Sequence, residues 1–204
     1  NNLPRVVTGA FRGLELSGEL SVRDNTQPIS SIEAHAFEGS VVGSLDFEGS
    51  AIRRLEAHAL SGLVHTATTV DLSENGIVFV GTGAFSNLSR SSGEAFSTVD
   101  LSDNAIASVE DGAFAGLRAA YLNLSGNNLK CIVTGAFRDV QIRDTLDLGS
   151  SRIEAMERSA ITGRVHTLDM LGNPNVRNLS ALAWILEDLA NLQAVVMEAP
   201  QVRL

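Results

Sequence analysis

Residues 96–117 read FSTVDLSDNAIASVEDGAFAGL, and this stretch decides the fold. It opens with alternating apolar residues at Val99 and Leu101, continues to Asn104, and closes on the pair Ala113–Phe114. Alternation over so few residues predicts a short strand with its apolar side chains on one face. An Asn that follows a strand can bond the backbone where the chain turns, because its amide both donates and accepts. We therefore interpret the stretch as one strand-and-turn unit with two apolar anchors.

The same unit recurs along the chain, which predicts a stack of similar coils. Ala and a large apolar residue form the second anchor, and no unit can bury its apolar face without a neighbour. The strand motif starts 22 to 29 residues apart, at Leu20, Leu45, Val70, Val99, Leu122, Leu146, Leu168 and Val195. The second anchor lies at Ala10–Phe11, Ala36–Phe37, Ala59–Leu60, Ala84–Phe85, Ala113–Phe114, Ala136–Phe137 and Ala160–Ile161.

These units resemble leucine-rich repeats of the LxxLxLxxNxLxxLxxGAFxxL type, familiar from extracellular animal receptors, matrix proteins and bacterial surface proteins. The resemblance covers essentially the whole chain. It implies an α/β solenoid: a right-handed curved leucine-rich-repeat array with a parallel concave β-sheet and a convex side of loops and short helices. We expect residues 1–204 to be a single solenoid of about eight strands. Because Asn1 already fills the Asn slot of a unit, we expect a segment of a longer chain that lacks both caps.

The resemblance also implies the function class, a non-catalytic recognition module. It would bind a protein, or alternatively a glycan, through the concave sheet and the loop at 89–93. A structural scaffold or assembly subunit, and an intracellular inhibitor or regulator, stay open as alternatives. The expected location is extracellular or at the cell surface, in a receptor-like glycoprotein. The single Cys allows no internal disulfide, which suits a reducing compartment equally well and leaves the cytoplasm open.

Composition excludes several other functions. The chain has 204 residues with 15 Lys and Arg against 24 Asp and Glu, a net charge of −9, which disfavours nucleic acid as a partner. The longest apolar stretch, Ala181–Leu186, is too short to insert into a membrane. The sequence lacks the HExxH, GxSxG and phosphate-loop signatures, so we expect neither an enzyme nor a bound cofactor. The oligomeric state stays open.

Acidic residues beside the inward-facing positions define the first candidate site. The position between the two apolar residues of each strand faces solvent on the concave sheet. We expect an acidic patch that recruits a basic protein partner. The alternative is that Asp is simply common at this slot in repeats of this type. The patch consists of Asp24, Asp46, Glu48, Asp71, Glu74, Asp100 and Asp103, opposed only by Arg23.

A longer unit supplies the second candidate. Its extra residues are small and polar, so we interpret them as a loop that could bind a ligand, or as a tolerated insertion. The insertion is Ser89, Arg90, Ser91, Ser92 and Gly93. Glycosylation motifs occur at Asn87, Asn123 and Asn178, of which Asn123 would lie on the concave face.

Three further features of the sequence give weaker indications. His35 and His58 share one slot of adjacent units and should stack; without a third ligand we assign no metal site. Lys130 beside the lone Cys131 could lower the pKa of the thiol. Helical spacing over residues 181–192 predicts a helix near the end of the chain.

Overall fold

A computed structural model describes residues 4–23, 28–65, 69–86, 88–90, 96–174, 176, 188–189 and 191–198. These residues form a β-solenoid in which each coil contributes short parallel strands. The strands are β1 Glu15–Ser21, β2 Ser31–Ile32, β3 Val41–Asp46, β4 Arg54–Leu55, β5 Val64–His65, β6 Thr69–Asp71, β7 Phe79–Val80, β8 Ser89–Arg90, β9 Phe96–Asp100, β10 Ser108–Val109, β11 Arg118–Asn123, β12 Cys131–Ile132, β13 Phe137–Asp147, β14 Ala155–Met156, β15 Ile161–Asp169 and β16 Ala194–Val196.

Ten of these strands form the main sheet, in the order β16-β15-β13-β11-β9-β6-β3-β5-β8, with β1 paired to β3. All of its pairings are parallel and join successive coils. Val70 pairs with Val99, and Val99 pairs with Leu122, as the repeat predicts. The same register continues to Leu20 at one end and to Val195 at the other. The prediction that the coils stack in register is therefore confirmed.

The opposite side of the solenoid differs from the prediction. The two-residue strands β2, β4, β7 and β10 pair in parallel as a second sheet, and β12 pairs with β14. Among the described residues only Asp188 is helical. The α/β class and the short convex helices are thus corrected to an all-β solenoid in those parts of the chain. In the stretch for which a helix is predicted, Leu189 is buried and bridges Gly163, and residues 181–187 lie outside the description.

A column of aromatic rings fills the interior beside the turns. Phe85, Phe114 and Phe137 stack with ring centroids 4.8 and 4.9 Å apart, and all three are fully buried. Phe11 stacks on Phe37 in the same way at 5.0 Å. Leu60 and Ile161 occupy the same slot in the remaining coils and are also buried. Each anchor thus contacts its counterpart in the next coil, because no coil is thick enough to cover its own.

Buried Asn side chains close the strand exits, as the sequence predicts. Asn104 Nδ2 donates to the carbonyl oxygens of Leu72, Leu101 and Ser102 at 2.9 to 3.1 Å, while its Oδ1 accepts from the Ile77 amide at 2.9 Å. Asn127 repeats this pattern one coil later. Where Ser151 replaces Asn, its hydroxyl still donates to the Leu124 carbonyl of the preceding coil at 2.9 Å. We call Asn104, Asn127 and their counterparts in other coils the Asn ladder. It satisfies backbone groups that would otherwise be buried without hydrogen-bond partners.

No helix in the described part of the chain is long and apolar enough to cross a membrane.

Candidate functional site

One polar column runs across the outward face of the main sheet. It lies between the inward-facing residues of each strand and follows from the same register. In order along the sheet the column is Ser21, Asp46, Asp71, Asp100, Asn123, Asp147 and Asp169. We call these seven residues the polar column. Since neighbouring strands are about 4.8 Å apart, the column brings several carboxylates close together.

Each acceptor in this column also closes the turn that follows its own strand. Asp100 Oδ1 accepts from the amide and the hydroxyl of Ser102 at 2.8 and 2.6 Å. Asp71 makes the same two bonds to Ser73, and Asn123 makes them to Ser125. A carboxylate oxygen and an amide oxygen thus accept the same two hydrogen bonds at this position. The column therefore has a structural role. Asp46, Asp100 and Asp147 also use their second oxygens within the chain, whereas those of Asp71 and Asp169 accept no described hydrogen bond.

The first coils carry the densest acidic cluster. Single oxygens of Asp46, Glu48 and Asp71 all lie within 4.8 Å of one another. Arg23 forms ion pairs with both Asp46 and Glu48, and the hydrogen bond to Asp46 is the main reason why the pKa of Arg23 is raised. Asp46 is only 6% exposed. Arg23 therefore offsets one of the three negative charges at this end of the predicted patch, and Asp24 lies outside the described residues.

Glu74 and Asp103 occupy a turn position that requires a left-handed backbone. Both have φ of 53°, and Gly49, Gly126 and Gly172 fill the same position in other coils. The Asp103 carboxylate lies where a Cβ on Gly126 would be, so the glycine makes room for it. Both acidic side chains are exposed. They lie at the edge of the polar column rather than in it.

A hollow in the second half of the sheet was missed by the sequence analysis. Its volume is about 370 Å³, and Asp147, Asp169 and Glu198 contribute its carboxylates. Gly149 and Gly172 lie in its wall beside Leu171, an apolar residue that is 50% exposed. The signal was present in the sequence, because Leu171 stands where the equivalent turn position holds Ser in three other coils. We call this feature the acidic hollow.

Tyr121 links the polar column to this hollow. Its hydroxyl donates to Asp147 Oδ2 at 2.8 Å, while Asp147 Oδ1 accepts from the Gly149 amide at 2.8 Å. Burial, together with the bond to the carboxylate, raises the pKa of Tyr121 well above its usual range. The contact fixes the direction in which the Asp147 carboxylate points.

The insertion and the glycosylation motifs fall only partly within the described residues. Ser89 and Arg90, predicted to lie in a loop, instead form β8, which pairs with β5 and extends the main sheet. This corrects the loop prediction for those two residues, because the extra chain continues the strand pairing of the coils before it. Ser91, Ser92, Gly93, Asn87 and Asn178 lie outside the description. Asn123 is in the polar column, where its Nδ2 donates to Asp100 Oδ2 at 3.3 Å.

The structure confirms the predicted stacking of the two histidines but not the predicted effect of Lys130 on Cys131. The His35 and His58 rings stack at 5.4 Å and within 8° of parallel, as predicted. Among the described residues, the one group of three carboxylate, thiol or imidazole side chains with metal-binding spacing is Asp46, Glu48 and Asp71, and it contains neither histidine. Burial raises the pKa of the Cys131 thiol, with Glu157 adding to the effect. The expected lowering by Lys130 is therefore wrong.

The comparisons agree with this geometry. Residues 95–153 match the family model described as "Leucine rich repeat". No curated protein matches the chain. The matched segment holds β9 to β13 with their Asn ladder and Phe column, and the same register continues through the described coils on both sides. The match supports a leucine-rich repeat family for residues 95–153.

Proposed function

We propose that the chain is a non-catalytic recognition module that binds a protein ligand across the outward face of the main sheet. Leucine-rich repeat domains generally mediate protein–protein interaction, and their repeats are typically binding modules rather than catalysts. The observation that carries the proposal is the in-register polar column, which repeats a carboxylate or amide on successive strands. Such a periodic surface can contact an elongated partner at several coils at once.

Charge supports a basic partner. The chain carries a net charge of −9, and Asp71 and Asp169 each keep one carboxylate oxygen without a described hydrogen bond. The acidic hollow adds an exposed apolar side chain, Leu171, among three carboxylates. That combination suits a Lys or Arg side chain, whose apolar stem and charged head would contact Leu171 and the carboxylates respectively. Opposite charge would also accelerate association.

The proposal also covers the edge of the binding surface, the location of the module and the state of Asn123. We place Ser89 and Arg90 at the rim of the binding surface, since β8 continues the main sheet beside β5. We also place the module outside the cell, on the strength of the family resemblance. A glycan on Asn123 would occupy the polar column and block the proposed ligand, so the proposal requires Asn123 to stay unmodified.

A charge-removal variant tests the proposal without disturbing the fold. Asn123 already fills the polar column with the same turn contacts, so Asp71→Asn with Asp100→Asn should keep the turns and remove two charges. The matched control is Asp139→Asn with Glu154→Gln, two exposed carboxylates that lie outside the polar column.

The chain and each variant are immobilised, and the proteins that each retains at low and at high salt are identified by mass spectrometry and compared. We expect a basic protein that the chain and the control retain and that the column variant releases at lower salt. Equal retention by both variants would contradict the proposed surface. Retention of only further copies of the chain would favour the scaffold alternative.

A further inference from the structure

A second cleft opens on strands β13 and β15 of the main sheet, at residues that precede Asp147 and Asp169 of the polar column. Its volume is about 750 Å³, within the range typical of small-molecule sites. Strands β13 and β15 form one side, and residues 191–193 form the other. The Gln193 amide donates to the His166 carbonyl at 2.8 Å, which fixes the second side against the first. The cleft is thus built from neighbouring coils that pair through their backbones.

The exposed side chains that line this cleft are mostly polar, and the core lies directly beneath them. Ile142 and Val165 pair in register and are buried, so they close the floor toward the core. The residues on either side of them are exposed and line the cleft, namely Gln141 and Arg143 on one strand and Arg164 and His166 on the other. Gln141 pairs directly with Arg164 across the two strands. Two guanidinium groups and one imidazole therefore meet at one opening.

The two arginines of the cleft form no ion pair with any residue that the structure describes. Within the described residues, no carboxylate lies at ion-pair distance from Arg143 or Arg164, whereas Arg12, Arg54 and Arg138 each pair with one. The described lining of the cleft also contains no Asp or Glu, in a chain with 24 of them. Arg118 continues the same row, because it pairs in register with Gln141. The cleft is a local basic site on an acidic molecule.

We propose that this cleft binds a compact ligand bearing a tetrahedral oxyanion, a phosphate or sulfate ester. A guanidinium presents several N–H donors in a rigid fork that matches the oxygens of such a group. The amide groups of Gln141, Asn191 and Gln193 supply further donors to the neighbouring parts of a polar ligand. His166 Nδ1 lies 3.3 Å from the Thr167 hydroxyl, which leaves Nε2 for the ligand. The half-buried side chain of Leu192 offers an apolar contact to the carbon skeleton.

Binding is tested on the 204-residue chain by NMR titration at low salt, where electrostatic contacts are least screened. The probes are glucose 6-phosphate and glucose 6-sulfate, with glucose as the neutral reference. We expect saturable shifts of backbone amides at 141–143 and 164–166 with at least one charged probe and none with glucose. The tighter of the two probes identifies the source of the oxyanion. No saturable shift with either would overturn the proposal.

Two variants separate a specific site from general charge attraction. Arg143→Gln with Arg164→Gln should weaken binding at least tenfold, because each lost charge-assisted hydrogen bond to the ligand lowers affinity by roughly that factor. The matched control, Arg53→Gln with Arg158→Gln, removes two exposed cations elsewhere on the solenoid and should leave affinity unchanged. An equal loss in both variants would show that only net charge matters and would overturn the assignment of this cleft.

Discussion

At the scale of single residues, the solenoid depends on buried polar side chains that serve the backbone. Asn104 is 8% exposed and Asn127 only 2%, and each bonds carbonyl groups of its own coil and of the preceding one. One side chain thereby holds two coils together. The same position explains why Ser is tolerated at residue 151, since its hydroxyl still reaches the preceding coil.

Replacing Asn104 with Ala should lower the free energy of unfolding by about 2–4 kcal/mol, because it leaves several buried backbone groups without partners. Urea unfolding monitored by circular dichroism measures the change. Asn128→Ala is the control, since that half-buried side chain makes no described hydrogen bond and should cost far less. Similar losses in the two variants would argue against the ladder.

Glu157 gives a pH-dependent prediction. Its carboxylate accepts from the Thr134 amide at 2.8 Å and from the hydroxyl at 3.0 Å, and the amide bond is the main cause of the lowered pKa of Glu157. A lowered folded pKa means that this stabilisation is fully present above the unfolded value, about 4.3. It is lost as the pH falls through the folded pKa. Glu33 and Glu110 accept from Thr8 and Thr82 in the same way.

The variant Glu157→Gln should therefore be less stable than the original chain at neutral pH, and the difference should shrink progressively as the pH falls below the unfolded pKa of about 4.3. Urea midpoints at neutral pH and at a series of acidic pH values measure the difference. Glu154→Gln, which changes an exposed neighbour without a described side-chain bond, should show no such dependence. A deficit for Glu157→Gln that persists undiminished in acid would contradict the assigned cause.

At the scale of secondary-structure elements, two variants at the end of strand β9 separate the hydrogen-bonding role of a polar-column residue from the role of its charge. Asp100→Asn keeps an acceptor for Ser102, as Asn123 does for Ser125, and should change stability by less than about 0.5 kcal/mol. Asp100→Ala removes the acceptor and should cost roughly 1–2 kcal/mol. Thermal unfolding of the two variants compares them directly. Equal destabilisation would show that the charge, and not the acceptor, matters for the turn.

The aromatic column makes a second prediction at this scale. Phe114→Ala should cost about 3–5 kcal/mol, since the ring is fully buried between Phe85 and Phe137. Phe114→Leu should cost only about 1–2 kcal/mol, because Leu60 fills the same slot in another coil and only the ring stacking is lost. Chemical denaturation of both variants measures the two values. A Leu variant as unstable as the Ala variant would mean that the stack itself is indispensable.

The sequence predicted the main sheet well and the opposite side poorly, for a physical reason. Val99 and Leu101 alternate within a strand long enough to show a period of two, and the repeat fixes which strands are neighbours. Strands of two residues, such as β7 and β10, are too short to show any period. Their pairing follows from coil stacking rather than from local sequence.

The candidate site, like the fold, was predictable from the sequence only where it follows from the register of the main sheet. The polar column follows directly from the register, so Asp71 and Asp100 were placed correctly on the main sheet. The neutralisation of Asp46 by Arg23 depends on a long side chain reaching the next coil. The acidic hollow depends on Glu198 meeting Asp169 and Asp147 of the two preceding coils. Which side chains meet in this way depends on their conformation, and the repeat pattern does not specify it.

At the scale of the whole molecule, stability and function rest on the same feature, contact between successive coils. The polar column, the Asn ladder and the Phe column are each a repeated side chain brought into register by parallel pairing. In such arrays each coil interacts mainly with its neighbours. A change of register at one coil would therefore disrupt all three columns there, together with the binding surface proposed on them.

Cysteine cross-linking tests this register most directly. In a Cys131→Ser background, Thr145→Cys with Thr167→Cys places two thiols on paired residues of adjacent strands, about 4.8 Å apart and within reach of a disulfide. The control, Thr98→Cys with Thr145→Cys, places them on strands that both pair with Tyr121, roughly 10 Å apart and out of reach. Thiol titration after mild oxidation should show a disulfide in the first pair and free thiols in the second. A reduced first pair, or equal oxidation of both, would contradict the stacked-coil account.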